Sequence, residues 1–286
     1  MSRYDDDVMN GLHRVELGIL HDVARLCDEN GIAYFLDYGT LIGAMRHDGF
    51  IPWDDDIDIG MMREDYERFI SIAPSALADK YEVISPENCA QTSATFTKIW
   101  RKGTKFYTSE TLDAGLRQGI GIDVFPYDVM DEDEARAQNQ ERRCMLLQRI
   151  LYLYHSAHVV VPHGGALGAV ERGCCHVAHA LLKLTRSHES IYKAFLDTAT
   201  ACNPDVESPD DTCASMTYVY HVPRKVIFPL TRHVFEGEEF SVPADPDRYL
   251  TIVYGDWRKI PPVEEQHQHP GIEVDFGSAL DDAPVL

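Results

Sequence analysis

The chain has 286 residues, 44% of them hydrophobic and 26% charged, which is enough to bury a sizeable core in one large domain or one domain carrying an insertion, and is not the composition of a disordered polymer. Its 47 acidic against 26 basic side chains leave a formal charge of -21, which argues against long-range attraction to nucleic-acid polymers or to an anionic lipid surface; small anionic substrates stay open through a bound divalent cation. The acidic start has no secretory leader pattern, no apolar run is long enough to span a bilayer, and seven cysteines without C-x-x-C spacing read as free thiols, so a soluble, cytoplasmic protein without a transmembrane segment is expected.

In chain order, Val8, Leu12, Val15, Ile19, Val23 and Leu26 repeat with the period of an amphipathic helix over residues 8–30, closed by Asn30-Gly31. Residues 32–37 predict a short buried strand, broken at Gly39-Thr40 before a second helix over residues 41–47. After the Asp48-Gly49 turn and Pro52, residues 56–61 alternate polar with apolar as a half-buried strand does. A helix over 64–73 and strands over 81–85, 95–100 and 120–125 follow, the last stopped by Pro126. From about Asp131 the chain turns helical, with helices predicted over 134–155, 166–186 and 189–201, separated by Pro162-His163-Gly164-Gly165 and the Ser187 region. Short segments rich in Pro and Gly lead to an acidic tail. The reading divides the chain into a core carrying the site (1–130), a helical section (131–206) and a segment completing the core (207–286).

The acidic run Asp54-Asp55-Asp56-Ile57-Asp58 carries the chemistry. On a strand, Asp56 and Asp58 project to one side while Ile57 and Ile59 anchor the other in the core. Two carboxylates converging on one point repel each other unless a cation neutralises them, and a hard divalent ion such as Mg²⁺ takes such oxygen ligands. Asp123, framed by Ile122, Val124 and Phe125, is the third ligand from a neighbouring strand. Asp54 is a fourth acid, and Asp55 reads as an ordinary solvated one. Gly39-Thr40, at the start of a helix, offers backbone N–H groups and a hydroxyl suited to a phosphate.

The stretch from Tyr34 through Gly39-Thr40, Arg46, Pro52-Trp53 and Asp54 to Asp58 closely resembles the LicD family, as do Thr97-Lys98-Ile99, Ile122 to Pro126, Phe235-Glu236-Gly237 and the segment from Tyr249-Leu250 through Tyr254-Gly255-Asp256-Trp257. Between about Ala135 and Val206 no family motif stands out. The resemblance implies an α/β (α+β) nucleotidyltransferase-like mixed sheet with flanking helices and a helical insertion. It further implies transfer of a phospho-alcohol, typically phosphocholine, from a CDP-activated donor such as CDP-choline to a sugar hydroxyl of a glycan or lipid-linked glycan precursor of lipopolysaccharide or teichoic acid, with release of CMP. On that pattern Asp56, Asp58 and Asp123 are catalytic, and with Asp54 they hold Mg²⁺ or Mn²⁺. Asp123 is also the candidate base. Gly39, Thr40, Arg46, Trp53 and Lys98 contact substrate: Arg46 and Lys98 at the diphosphate, Trp53 by stacking on a base or a choline head.

His267, Gln268, His269 and Pro270 are left outside the ligand set, and His155, His158, His163, His176 and His179 near Cys174 and Cys175 match no zinc spacing and read as helix-surface residues. An acceptor on a membrane carrier places the enzyme near the inner face of the membrane, yet the acidic composition shows no basic patch to hold it there. The rival classes are a D-x-D glycosyltransferase, a nucleotidyltransferase acting on a small molecule, and a non-catalytic scaffold of the same fold.

Overall fold

The computed structural model describes residues 4–108, 111–112, 114–157, 163–204, 207–266, 268–269 and 271–286; residues 1–3 of the acidic start, His158, Pro162, Val206, His267 and Pro270 lie outside the described residues. Helix α1 (Asp6–Asn30) begins before the apolar period does, because Asp5 caps it by accepting the Val8 N–H at 2.8 Å and Asp6 and Asp7 suit the positive end of the helix dipole. It ends where Gly31 takes the left-handed conformation, φ 59°. Leu12, Ile19, Leu20 and Val23 are fully buried along its inner face, and at roughly 1.5–3 kcal/mol per buried aliphatic side chain this packing, more than helix propensity, holds α1 in place.

Short β1 (Phe35–Leu36) leads into α2 (Tyr38–His47), followed by β2 (Asp58–Met62), α3 (Arg63–Ala76), β3 (Tyr81–Ile84), β4 (Thr97–Arg101), β5 (Lys105–Tyr107) and β6 (Gly121–Val129). The main sheet runs β1-β2-β6-β4-β3, with β2 and β6 parallel and the other pairs antiparallel. Later in the chain β7 (Thr212–Ser215) pairs with the far half of β6, and β8 (Val222–Pro223) pairs with β7. The class is therefore α/β with a mixed sheet and flanking helices.

Three local readings are corrected. Asp37 caps α2 by accepting the Tyr38 N–H, so Gly39 and Thr40 stand in the first turn of the helix and not in a turn ahead of it. Strand β2 starts at Asp58, leaving Asp56 in the approach to the strand. Strand β6 continues through Pro126 to Val129. Asp123 N–H donates to Ile57 O on the β2 side, so by alternation the Pro126 nitrogen faces the other side. There β4 has already ended at its Thr97–Val124 pairing and β7 begins only opposite Tyr127, so the missing donor breaks no ladder bond.

Helices α4 (Glu134–His155), α5 (Gly165–Thr185) and α6 (His188–Ala199) follow. Side chains of α4 and α6 (Ala137, Cys144, Leu151, Ile191, Phe195) close a second core with Ala214 and Met216. Among the described residues no side chain of α5 belongs to either core. The buried Arg63–Asp128 pair, bonded at 2.9 and 2.6 Å, accepts a further bond from Asn203 Nδ2 at 2.8 Å and so links sheet and helical section. After short α7 (Arg224–Ile227), the hairpin of β9 (Thr231–Phe235) and β10 (Glu238–Val242) turns at Glu236-Gly237, both with positive φ. Helix α8 (Pro246–Tyr254) brings Tyr249 and Leu250 into the main core, and β11 (Glu273–Asp275) pairs with β5. All seven cysteines are free thiols, and among the described residues no helix is long and apolar enough to cross a membrane.

Candidate active site

The parallel register of β2 and β6 sets Asp58 directly beside Asp123, and the antiparallel register of β4 and β6 sets Lys98 on the other side of Asp123. Lys98 Nζ donates to both Asp123 oxygens, at 2.8 and 2.7 Å. Ile57 and Ile59 are fully buried while Asp56 and Asp58 are half-buried, the arrangement that alternation dictates. Thr40 Oγ1 accepts the Asp58 N–H at 2.8 Å, so this hydroxyl fixes the start of β2 from α2. Gly39 is bare because a Cβ there would fall 2.5 Å from an Asp54 carboxylate oxygen; the helix packs directly on the acidic run.

The acids load one another. Burial, then the charges of Asp56 and Asp55, push the Asp54 carboxyl well above its ordinary range. Burial, then Asp56 and Asp123, do the same to Asp58. Asp56 rises to about 6 through burial, with Asp123 and Asp55 adding to the shift and His269 opposing it. Behind them, fully buried Asp37 accepts hydroxyl bonds from Tyr127 (2.7 Å) and Tyr249, and burial outweighs these to lift it to about 6. Tyr249 thereby ties the C-terminal segment to the residue that caps α2.

A cavity of about 330 Å³ opens on this set, lined among others by Asp55, Asp56, Asp123, Lys98, Glu16 and His269. Three of these the sequence reading missed. Asp55 is buried, not solvated: its carboxylate accepts the backbone N–H of His269 at 2.9 Å and faces His269 Nδ1 at 3.1 Å. His269 also lies 3.5 Å from Asp56; the hydrogen bond to Asp55, then the charge of Asp56, raise its imidazole to about 9. Nothing in the local pattern of residues 268–269 marks this contact across the fold. Glu16 is buried, one of its oxygens lacks a hydrogen-bond partner, and burial with the charges of Asp56 and Asp55 keeps its carboxyl far above the ordinary range. A signal was present in this case: Glu16 stands four residues from both Leu12 and Leu20, on the apolar stripe of α1.

Along the same face of β6, two residues beyond Asp123, Phe125 opens an aromatic cluster. Its ring lies 4.4 Å from Phe96 and 5.2 Å from Tyr38, and Tyr38 in turn meets Tyr218 at 5.7 Å. Lys98 Nζ sits 4.8 Å from the Phe96 ring centre, so aromatic faces and acids adjoin. Arg46 and Trp53 stand apart from the cavity lining: the guanidinium donates to Trp257 O at 3.1 Å and lies 5.9 Å over the Trp53 ring. Trp53 lines a neighbouring hollow with Met9 and Gln268. The histidines of the helical section have other partners: His155 meets His188 at 3.0 Å, His163 pairs with Glu171 and His179 with Leu153 O. A separate cavity of about 390 Å³ sits over Arg63, whose charge Asp128 already satisfies; its acids, Glu64, Glu67, Asp197 and Glu207, are all solvent-exposed, unlike the buried and half-buried set on β2 and β6.

Asp54, Asp56, Asp58 and Asp123 offer hard oxygen donors, and among the described residues Lys98, His269 and, towards Asp54, Arg46 act on them as counter-charges, so the chemistry of the set fits a divalent cation. Among the described residues, no group of three or more His, Cys, Asp or Glu side chains is already closed into a coordination cage. Residues 31–147 match the family model described as LicD/FKTN/FKRP, nucleotidyltransferase domain, a span that holds every acid from Asp54 to Asp123 but neither Glu16 nor His269. The chain is 27% identical over 265 residues to the lipopolysaccharide cholinephosphotransferase LicD of Haemophilus influenzae, covering 88% of this chain and 92% of that protein. It is 48% identical over 56 residues to an uncharacterized protein of Rickettsia typhi, covering 20% of this chain and 18% of that protein. It is also 44% identical over 43 residues to the human ribitol 5-phosphate transferase FKRP, covering 15% of this chain and 9% of that protein.

Proposed function

We propose that this chain, which carries a LicD-family domain match over residues 31–147 and is similar over most of its length to a cholinephosphotransferase, is a metal-dependent phosphotransferase that moves phosphocholine from CDP-choline to a sugar hydroxyl of a cell-surface glycan precursor in the cytoplasm, releasing CMP. The observation that carries this reading is the junction of two surfaces over the central strands of the sheet: the carboxylates that lead into β2 and stand on β2 and β6, and the aromatic cluster of Tyr38, Phe96, Phe125 and Tyr218 beside them. Carboxylates suit a cation that holds a diphosphate, and aromatic faces suit a quaternary ammonium through cation–π attraction. Resemblance over nearly the full length of a cholinephosphotransferase supports the choice of alcohol.

Asp54, Asp56, Asp58 and Asp123 would hold Mg²⁺ or Mn²⁺, which when bound offsets charge on the diphosphate and on the CMP leaving group. The protein's own groups do the rest. Lys98 is positioned to leave Asp123 for a diphosphate oxygen, a transfer that frees the Asp123 carboxylate, one oxygen for the cation and the other to take the acceptor's proton. The acceptor oxygen then attacks phosphorus in line, the bond to the CMP oxygen breaks, and no covalent enzyme intermediate forms. Thr40 keeps Asp58 in register through its backbone N–H, and Gly39 leaves room for Asp54. His269 holds Asp55 and Asp56 in place from the C-terminal segment.

Incubation of the protein with Mg²⁺ or Mn²⁺ and CDP-choline, CDP-glycerol, CDP-ribitol, UDP-sugars or ATP, with chromatography of the released nucleotide, tests the reading. CMP release from CDP-choline, lost in Asp56→Asn and Asp58→Asn, is expected. Replacing Tyr218 by Ala is expected to raise KM for CDP-choline more than for CDP-glycerol. UDP or diphosphate as product moves the assignment to glycosyl or nucleotidyl transfer.

A further inference from the structure

Helix α5 carries Leu167, Val170, Val177, Leu181 and Leu184 on exposed surface, with Leu184 at 82% and Val170 and Val177 each at 62%. Their spacing of three and four residues places them on one stripe, and exposed Ala169, Gly173 and Ala180 widen it without adding a polar group. The inner side of the helix faces α4, where His179 bonds Leu153 O and Lys183 Nζ sits 4.0 Å over the Tyr154 ring. Charge is segregated around the stripe. Residues 163–186 hold Arg172, Lys183 and Arg186 against Glu171 alone, and Glu171 is partly buried in its pair with His163. On α4 the exposed face through Arg142, Leu146 and Arg149 repeats the mixture of cation and leucine. A chain with formal charge -21 thus concentrates cations where it exposes apolar surface.

We propose that the outer face of α5 is a membrane-docking surface that seats on an anionic bilayer, with its leucines and valines in the acyl boundary and Arg172 and the neighbouring arginines of α4 at the headgroups. An amphipathic helix with an acid-free apolar face and flanking cations is the element that lies in a bilayer interface. A second copy of the chain fits the face less well. The positions flanking a heptad seam through Leu167, Val170, Cys174, Val177, Leu181 and Leu184 are Glu171, Gly173, Ala178, Ala180 and Thr185, which lack the complementary charges that align paired helices. This surface also supplies the basic patch that overall composition hides.

The test is flotation of the full-length protein with vesicles of phosphatidylcholine alone and of phosphatidylcholine mixed with phosphatidylglycerol. Binding to the mixed vesicles, weakened by salt and much weaker on phosphatidylcholine, is expected. Leu181→Asp with Leu184→Asp should abolish it while leaving the circular dichroism spectrum and CDP-choline turnover unchanged. Arg172→Glu should lower binding to the anionic vesicles by on the order of fivefold or more, as loss of one interfacial cation implies. Absence of vesicle binding, or binding indifferent to the Leu181 and Leu184 substitutions, overturns the proposal. So does a dimer in sedimentation velocity that these substitutions dissociate in place of an effect on vesicles.

Discussion

Replacing Asp56 by Asn removes one negative charge from the acidic set at nearly constant shape. In the folded chain the Asp56 carboxyl is lifted from 3.8 to about 6, so at pH 7 the ionised form burdens the fold by roughly 2 pKa units, or on the order of 3 kcal/mol. Asn carries no such burden. In EDTA at pH 7, Asp56→Asn is therefore expected to be more stable than the parent, by roughly 5–10 °C in Tm for a chain of this size. The sign follows from linkage. A carboxyl whose folded pKa is raised destabilises the fold above pH 6, and the burden fades as pH falls through 6 toward 4, so the two proteins should converge near pH 4. Adding Mg²⁺ or Mn²⁺ should reverse the order, raising the Tm of the parent and leaving the variant nearly unmoved, while CMP release from CDP-choline falls by at least about 100-fold. Differential scanning calorimetry in EDTA and in Mn²⁺, across pH 4–8, reads all of these effects. A variant less stable than the parent in EDTA, or one stabilised equally by Mn²⁺, would refute the account of Asp56 as a carboxylate kept under repulsion for a cation.

Further tests address the groups around that set. Lys98→Met should raise KM for CDP-choline about tenfold or more and tighten Mn²⁺ binding measured by calorimetry, because Asp123 loses its internal partner; two unchanged values would make Lys98 a structural residue. For His269→Gln, the imidazole raised to about 9 contributes stability that is fully present below pH 6.5 and lost as pH rises through 9. With its ring 63% exposed, screening holds that contribution to about 1 kcal/mol, so the two melting curves should differ in mild acid and coincide above pH 9. Asp128→Ala strands Arg63 in the interior without its partner and should cost about 3–5 kcal/mol in urea unfolding; a cost under about 1 kcal/mol shows that Arg63 finds another partner or water.

What a single chain of residues could settle was whatever local pattern encodes. The apolar period of α1 and the helices of the middle section follow from side-chain spacing within one element, and the alternation of Asp56, Ile57, Asp58 and Ile59 from spacing along the run that leads into β2, and the LicD resemblance was legible because its motif runs unbroken from Tyr34 to Asp58. Local signals failed where a distant neighbour decided. Pro126 looked like a stop, but the gap between β4 and β7 lets β6 pass through it. Asp55 looked solvated until His269, some two hundred residues later, closed over it. Glu16 hid on an apolar face, and the contact of Lys98 with Asp123 comes from the register of β4 and β6, which neither segment shows by itself. The net charge of -21 concealed a cationic and apolar helix because composition averages over surfaces that folding separates. Sequence determined the elements, the acidic motif and the family resemblance, since these depend on neighbours along the chain. Only the tertiary structure decided which charges face one another, because Coulomb forces act through space and the pairings of β2, β4 and β6 set those distances.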